Sequence, residues 1–249
     1  MKLIIVGDKA SIKEFKLKFS KLIKLIDGGA KVPGEKQTIN DNAKKINIDE
    51  LIFIKNYDFL NASLLNSKSI VFDFYLEECI ENFEIYKNQS NLIIFGNIPT
   101  SSLSEIRYYF GEYKAILFGF NGMPGMLNRE YFEVTALSEA DHLVLQEACA
   151  ALHTEFLRVD DRVGMVTLRV VAMIINEAYF TVQEGTASKD DIDIAMKLGT
   201  NYPYGPFEWC LKLGIKNVYE LLEALYEDTK DERYRICPLL KREYMKAFS

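Results

Sequence analysis

His142 and His153 are the only imidazoles in the chain, so a histidine-dependent proton transfer near neutral pH would have to use one of them. Both fall on or beside the stretch Ser138 to His153, whose composition predicts a helix. His153 then reads as a surface residue or as a cation at the helix C-terminus. Phosphate chemistry has a separate candidate. The apolar run Lys2 to Val6 ends in Gly7, and Asp8-Lys9-Ala10-Ser11-Ile12 follows. A dinucleotide loop needs glycines for the tight turn, for close approach to pyrophosphate and for helix packing. Gly7 alone is in place. Lys9 stands where a second glycine is needed, so either its side chain crowds the phosphate path or Lys9 itself binds phosphate; Asp8 adds a negative charge. Ser102, with Glu105 three positions on, has the spacing of a helix capping box. Cys79, Cys149, Cys210 and Cys237 lack metal-ligand spacing, and no His/Cys/carboxylate cluster predicts a metal site.

The elements that must position these groups alternate in the first part of the chain. Lys2–Val6, Leu51–Ile54, Ser69–Phe74, Leu92–Phe95 and Ala115–Phe120 are short apolar runs of strand length. Between them, Ser11–Ile26, Leu76–Lys87 and Ser104–Phe110 have helical composition, and Tyr131–Thr135 and Glu155–Val159 read as further strands. Gly28–Asn47, polar and holding Gly29, Pro33 and Gly34, reads as a loop. Alternating strands and helices imply a mainly parallel, doubly wound α/β sheet.

From about Asp160 the period changes. Val166, Val170, Met173, Ile174, Ala178 and Val182 recur at the spacing of one face of a long helix, which Gly185 ends. Ser188 can cap the next helix, with Asp190 and Asp191 in its first turn. Its expected buried side is Ile192, Ala195 and Met196, and Gly199 is expected to stop it. Tyr202–Pro206 is a turn, and Phe207–Lys212 and Asn217–Tyr226 read as helices. The expected division is residues 1–160 and 161–249.

Of the 249 residues 49% are hydrophobic and 27% charged, which suits a globular chain, and a net charge of −6 argues against general affinity for nucleic acid or an anionic membrane. The opening apolar run is too short for a signal peptide or a membrane span. The cysteines fit free thiols in a reducing cytoplasm.

The stretch Asp161–Leu240, with Asn176-Glu177-Ala178, Glu184-Gly185-Thr186-Ala187-Ser188 and Tyr202-Pro203-Tyr204-Gly205-Pro206-Phe207-Glu208, resembles the C-terminal helical domain of the 3-hydroxyacyl-CoA dehydrogenases. The first half resembles the NAD-binding Rossmann domain of the same family. The resemblance implies NAD as cofactor, an acyl-CoA substrate and a homodimer formed through the helical domain. Thr100-Ser101-Ser102-Leu103 matches a family loop whose first serine lies near the substrate hydroxyl, so Ser101 is a candidate catalytic residue, with helix capping as the alternative for this loop. Glu133 resembles the glutamate that orients the catalytic histidine, with Glu130 as its rival.

The departures fall on the chemistry. The family's histidine motif aligns with Phe118-Gly119-Phe120-Asn121-Gly122-Met123-Pro124, which puts Phe118, or Gly119 in a shifted alignment, in place of the proton acceptor. Gly164-Met165-Val166-Thr167-Leu168-Arg169 keeps the family's glycine and arginine but has Leu168 for the active-site asparagine. Gly7 and Lys9 are what remains of the cofactor loop. Three readings follow: a family member impaired in catalysis, an active NAD-dependent 3-hydroxyacyl-CoA dehydrogenase with atypical residues, or a structural dimer or binding protein.

Overall fold

The computed structural model describes residues 1–27, 47–60, 62–65 and 68–248. The loop expected over Gly28–Asn47 lies outside them, Asn47 excepted. The strands are β1 Lys2–Val6, β2 Glu50–Ile54, β3 Ser69–Asp73, β4 Leu92–Asn97, β5 Ile116–Phe120, β6 Tyr131–Ala136 and β7 Glu155–Val159. The helices are α1 Lys9–Lys18, α2 Ser20–Asp27, α3 Ala62–Leu65, α4 Leu103–Phe110, α5 His142–Ala151, α6 Thr167–Gln183, α7 Lys189–Thr200, α8 Pro206–Leu213, α9 Ile215–Thr229 and α10 Pro238–Ala247.

Two compact units divide the chain. The first holds Met1–Ile98, Ser102–Gly122 and Met126–Asp161; the second holds Pro99–Ser101, Met123–Gly125 and Arg162–Ser249. The first is built on one seven-stranded sheet in the order β2-β1-β3-β4-β5-β6-β7. Neighbouring strands are parallel except β5 and β6, where Phe118 opposes Ala136 and Phe120 opposes Val134. The chain runs from β1 outward to β2 and then returns across β1 to β3. The crossover between β1 and β3 is a topological switch point, where open α/β sheets bind ligands at the carboxyl ends of their strands.

One face of this sheet is a phenylalanine core. Phe72, Phe95, Phe118, Phe120 and Phe132 alternate inward from β3 to β6 and meet Phe15 and Phe19. The Phe72 and Phe95 rings stack at 4.7 Å, and Phe118 lies 5.3 Å from Phe95. Burying a ring of this size stabilises by roughly 2–3 kcal/mol, so the cluster dominates the energetics of the unit.

Two helical expectations change here. Ser11–Ile26 is two helices rather than one, and the break falls at Phe19, whose ring turns in against Phe15 and Phe72. Tertiary packing overrides local helix propensity at that point. Leu76–Lys87 is turns and a 3-10 segment, Ile80–Ile85. Phe83 and Tyr86 are both fully buried three residues apart, and the 3-10 winding places i and i+3 on the same side.

The second unit is helical. Gly164 and Met165 both take left-handed φ values, 76° and 46°, and turn the chain into α6. The buried face of α6 is Leu168, Val171, Ala172, Ile175, Asn176, Ala178 and Tyr179. Val166 and Val170, expected inside, are exposed. The helix is apolar on more than one side: of the expected stripe Ala178 is buried and Met173, Ile174 and Val182 are half-buried. Asn176 sits inside because its amide is satisfied: Nδ2 donates to the Arg235 carbonyl at 2.9 Å and Oδ1 accepts from Cys237 N at 2.9 Å. Ser188 caps α7 by accepting from Asp191 N, and Gly185 has the left-handed φ of 74°. α7 buries Asp193 and leaves Ala195 exposed, against expectation. Gly199 lies within α7, and the left-handed residue that stops it is Asn201, with φ 55°. α10 had no counterpart in the sequence reading.

Candidate functional site

At the carboxyl edge of β1 the backbone turns at Gly7 into α1. A Cβ on Gly7 would lie 3.2 Å from Phe74 Cβ and from Ser11 Cβ, a tight fit that would press both neighbours back by a few tenths of an ångström. The Asp8 carboxylate caps α1, accepting from Ser11 N at 2.7 Å. That carboxylate occupies a backbone donor which a nucleotide cradle would direct at phosphate. Lys9 is exposed and opens the helix. The glycine cradle of a dinucleotide loop is therefore not built here. The groups in the same region that can face phosphate are lysine side chains. Lys9, Lys13, Lys16 and Lys55 line a cavity of about 710 Å³ together with Asp8, Ile12, Leu17 and Tyr75.

Beside this edge, at the end of β3, Asp73 is fully buried. It accepts from Tyr57 Oη at 2.7 Å, Tyr86 Oη at 2.8 Å and Tyr75 N at 3.0 Å. Burial pushes its carboxyl up to about 6, and the three donors hold it from rising further. Burial and the Asp73 charge also raise the Tyr57 and Tyr86 hydroxyls, keeping both protonated. Next to it, Asn97 ties the strand ends: Nδ2 donates to the Phe74 carbonyl at 3.2 Å and Oδ1 accepts from Gly122 N at 2.7 Å. Sequence reading missed both residues. The signal was present for Asp73, because a lone carboxylate in a buried apolar strand must be paired or neutral.

The residues singled out on chemical grounds scatter over the two units. Phe118 is fully buried on the phenylalanine face of β5. Gly119 points to the other face, where a Cβ would come within 2.4 Å of Ile98 Cδ1 and 2.7 Å of Thr135 Cγ2. Glu133 is half-buried on β6 between Phe132 and Val134, both of which belong to the phenylalanine core, so it faces the side opposite to Phe118. Glu130 is exposed, and its carbonyl accepts from Lys18 Nζ at 3.0 Å. His142 opens α5 with its ring 6.2 Å from that of Phe156, and His153 is exposed with a left-handed φ of 53°.

Ser101 is half-buried and belongs to the second unit, as does Leu168, which is fully buried in the first turn of α6. Ser102, not Ser101, makes the capping box: its Oγ accepts from Glu105 N at 3.1 Å, and its N donates to Glu105 Oε2 at 2.8 Å. Arg169, next to Leu168, braces the turn by donating to the Val163 carbonyl at 3.1 Å and to Tyr234 Oη at 3.0 Å. Among the described residues no group of His, Cys, Asp or Glu could hold a metal ion, and no helix is long and apolar enough to cross a membrane.

A doubly wound sheet with a switch point beside β1, followed by an all-α domain, is a Rossmann-plus-helical architecture. Residues 164–247 match the family described as 3-hydroxyacyl-CoA dehydrogenase, C-terminal domain. The likeness to the 3-hydroxyacyl-CoA dehydrogenases is carried by the helical domain. It is similar to 3-hydroxyadipyl-CoA dehydrogenase of Escherichia coli K12, with 51% identity over 86 residues, 34% of this chain and 18% of the relative. A probable 3-hydroxybutyryl-CoA dehydrogenase of Bacillus subtilis is 36% identical over 127 residues, 51% of this chain and 44% of the relative. The matches thus span less than half the length of either relative. The crystal structure of (S)-3-hydroxybutyryl-CoA dehydrogenase from Ralstonia eutropha has the same fold, with a TM-score of 0.69 at 21% identity, covering 99% of this chain and 94% of that one.

Proposed function

We propose that this protein is a 3-hydroxyacyl-CoA dehydrogenase-like protein in which the dehydrogenation chemistry is impaired. The observation that carries the reading is the burial of Phe118 among phenylalanines and of Leu168 in the first turn of α6. These are the positions that resemble the family's proton acceptor and its substrate-facing amide, and both are hydrocarbon. Loss of a general base costs on the order of 10²–10⁴ in rate. Ser101 and Glu133 are the family positions that keep a polar side chain. The uncapped glycine approach to NAD is also absent, which weakens binding of that cofactor in this reading.

A homodimer through the helical unit is part of the same proposal. Support comes from the large apolar side chains that unit leaves in solvent: Val166 just before α6 and Val170 on it, Ile194 and Leu198 on α7, and Leu211 on α8. The free cysteines, three of them buried, suit a reducing cytoplasm as its setting.

The test is NADH formation from 3-hydroxybutyryl-CoA by the full chain, alongside a thermal shift with NADH and with acetoacetyl-CoA. The expected result is a turnover at least a hundredfold below that of an ordinary relative assayed in parallel. A rate within tenfold of that relative overturns the proposal in favour of an active dehydrogenase with atypical residues.

A further inference from the structure

The cavity beside α1 has a composition that a bare dinucleotide does not call for. Four lysines line it against one carboxylate, Asp8, in a chain whose net charge is −6. Three of them, Lys9, Lys13 and Lys16, follow one another at i, i+4 and i+7 along one face of α1. Like charges at that spacing oppose the helix, and a lysine at its first position with no acid in the first turn opposes the dipole as well. Among the described residues none of the four lysines has an ion-pair partner. The Asp8 carboxylate already accepts from Ser11 N. The remaining lining, Ile12, Leu17 and Tyr75, is an apolar and aromatic platform of the kind a base ring packs on.

Position sharpens the chemistry. The cavity lies where β1, β2 and β3 deliver their carboxyl ends, through Asp8, Lys55 and Tyr75. A domain for NAD carries an acidic residue near the end of its second strand to accept from the ribose hydroxyls. The residue directly after β2 is Lys55, which cannot accept. Asp58, three positions further, accepts from Asn56 Nδ2 at 3.0 Å and is not part of the lining. Lys16 projects its ammonium over the Phe53 ring of β2 at 4.4 Å, which holds that charge beside Lys55's strand.

We infer that this cavity selects adenosine nucleotides that carry a phosphomonoester on the ribose, with Lys13, Lys16 and Lys55 facing that dianion and Lys9 facing the 5′-diphosphate. The shared chemistry is a ribose 2′- or 3′-phosphate next to a diphosphate, as in NADPH and in coenzyme A. The inference rests on reading the first unit as a nucleotide domain.

Equilibrium titrations of the full chain with NADH, NADPH, coenzyme A and inorganic phosphate, at one fixed ionic strength, test it. NADPH or coenzyme A is expected to bind at least tenfold more tightly than NADH, and which of the two does so identifies the source of the phosphate. The double substitution Lys13→Gln with Lys55→Gln is expected to erase that preference, bringing NADPH and coenzyme A within twofold of the variant's own affinity for NADH. The lysines are exposed, so the variant's melting temperature serves as the check that it folds. Equal affinity for NADH and NADPH, with coenzyme A no tighter, overturns the inference and leaves the nucleotide domain standing. A preference that survives in the double variant overturns it too, as does inorganic phosphate competing at the concentrations at which the nucleotides bind. Absence of binding by every nucleotide overturns both the inference and the reading beneath it.

Discussion

Asp73 gathers two tyrosine hydroxyls and a backbone amide on one buried carboxylate. Its carboxyl is fully buried at the end of β3, and its ordinary value near 3.9 is pushed up to about 6 by that burial. Between those two values the folded protein binds a proton that the unfolded chain releases. The stabilisation is therefore complete below about pH 4 and is lost as the pH rises through 6. A shift of two units corresponds to about 3 kcal/mol. Asp73→Asn keeps an acceptor for Tyr57 and Tyr86 while removing the titration. Urea midpoints measured from pH 4 to 7 are expected to fall with pH in wild type and to stay nearly flat in the variant. Parallel profiles would remove Asp73 as the source.

At the scale of elements, the junction of α7 and α8 explains why the Tyr202–Pro206 turn is spelled as it is. Asp193 of α7 accepts from Phe207 N at 2.8 Å and from Glu208 N at 3.1 Å, so one helix caps the next. A Cβ on Gly205 would lie 2.3 Å from that carboxylate, and Glu208 reaches back to Gly205 N at 3.0 Å. Gly205→Ala is expected to cost about 2–4 kcal/mol, and Asp193→Ala about 1–3 kcal/mol. The two together should cost less than their sum, because both break the same junction. Additive losses in a denaturation series would show the contacts to be independent. The strands were legible because each is a short apolar run with nowhere else to go; seven of seven fall where the runs are. Inward-facing polar residues were not, since Asp193 and Asn176 are buried through bonds to backbone that is distant in sequence, Cys237 N among them. Pattern reading assigns such positions to solvent, and it shifted the faces of α6 and α7 for that reason. At the candidate site Phe118 and Leu168 were readable as residue types; their complete burial required the fold.

For the molecule as a whole, the proposed dimer can be tested at the exposed apolar side chains of the helical unit. Leu198 is 82% exposed and Leu211 85% exposed, on helices of the unit for which the family resemblance implies a dimer. Charged side chains there disturb no packing within the unit. Leu198→Glu with Leu211→Glu is expected to move the protein from dimer to monomer on sizing chromatography, with its circular dichroism unchanged. A wild-type monomer, or a variant that elutes with wild type as a dimer, would rule out this surface.

Trp209 is the only indole in the chain, and its ring stands 4.9 Å from that of Tyr204, inside the helical unit. The sheet unit absorbs light through phenylalanine and tyrosine alone. Emission near 340 nm therefore follows one half of the polypeptide, and near-ultraviolet dichroism weighs both. Melts recorded by the two signals separate whatever cooperativity the halves share from what each has by itself.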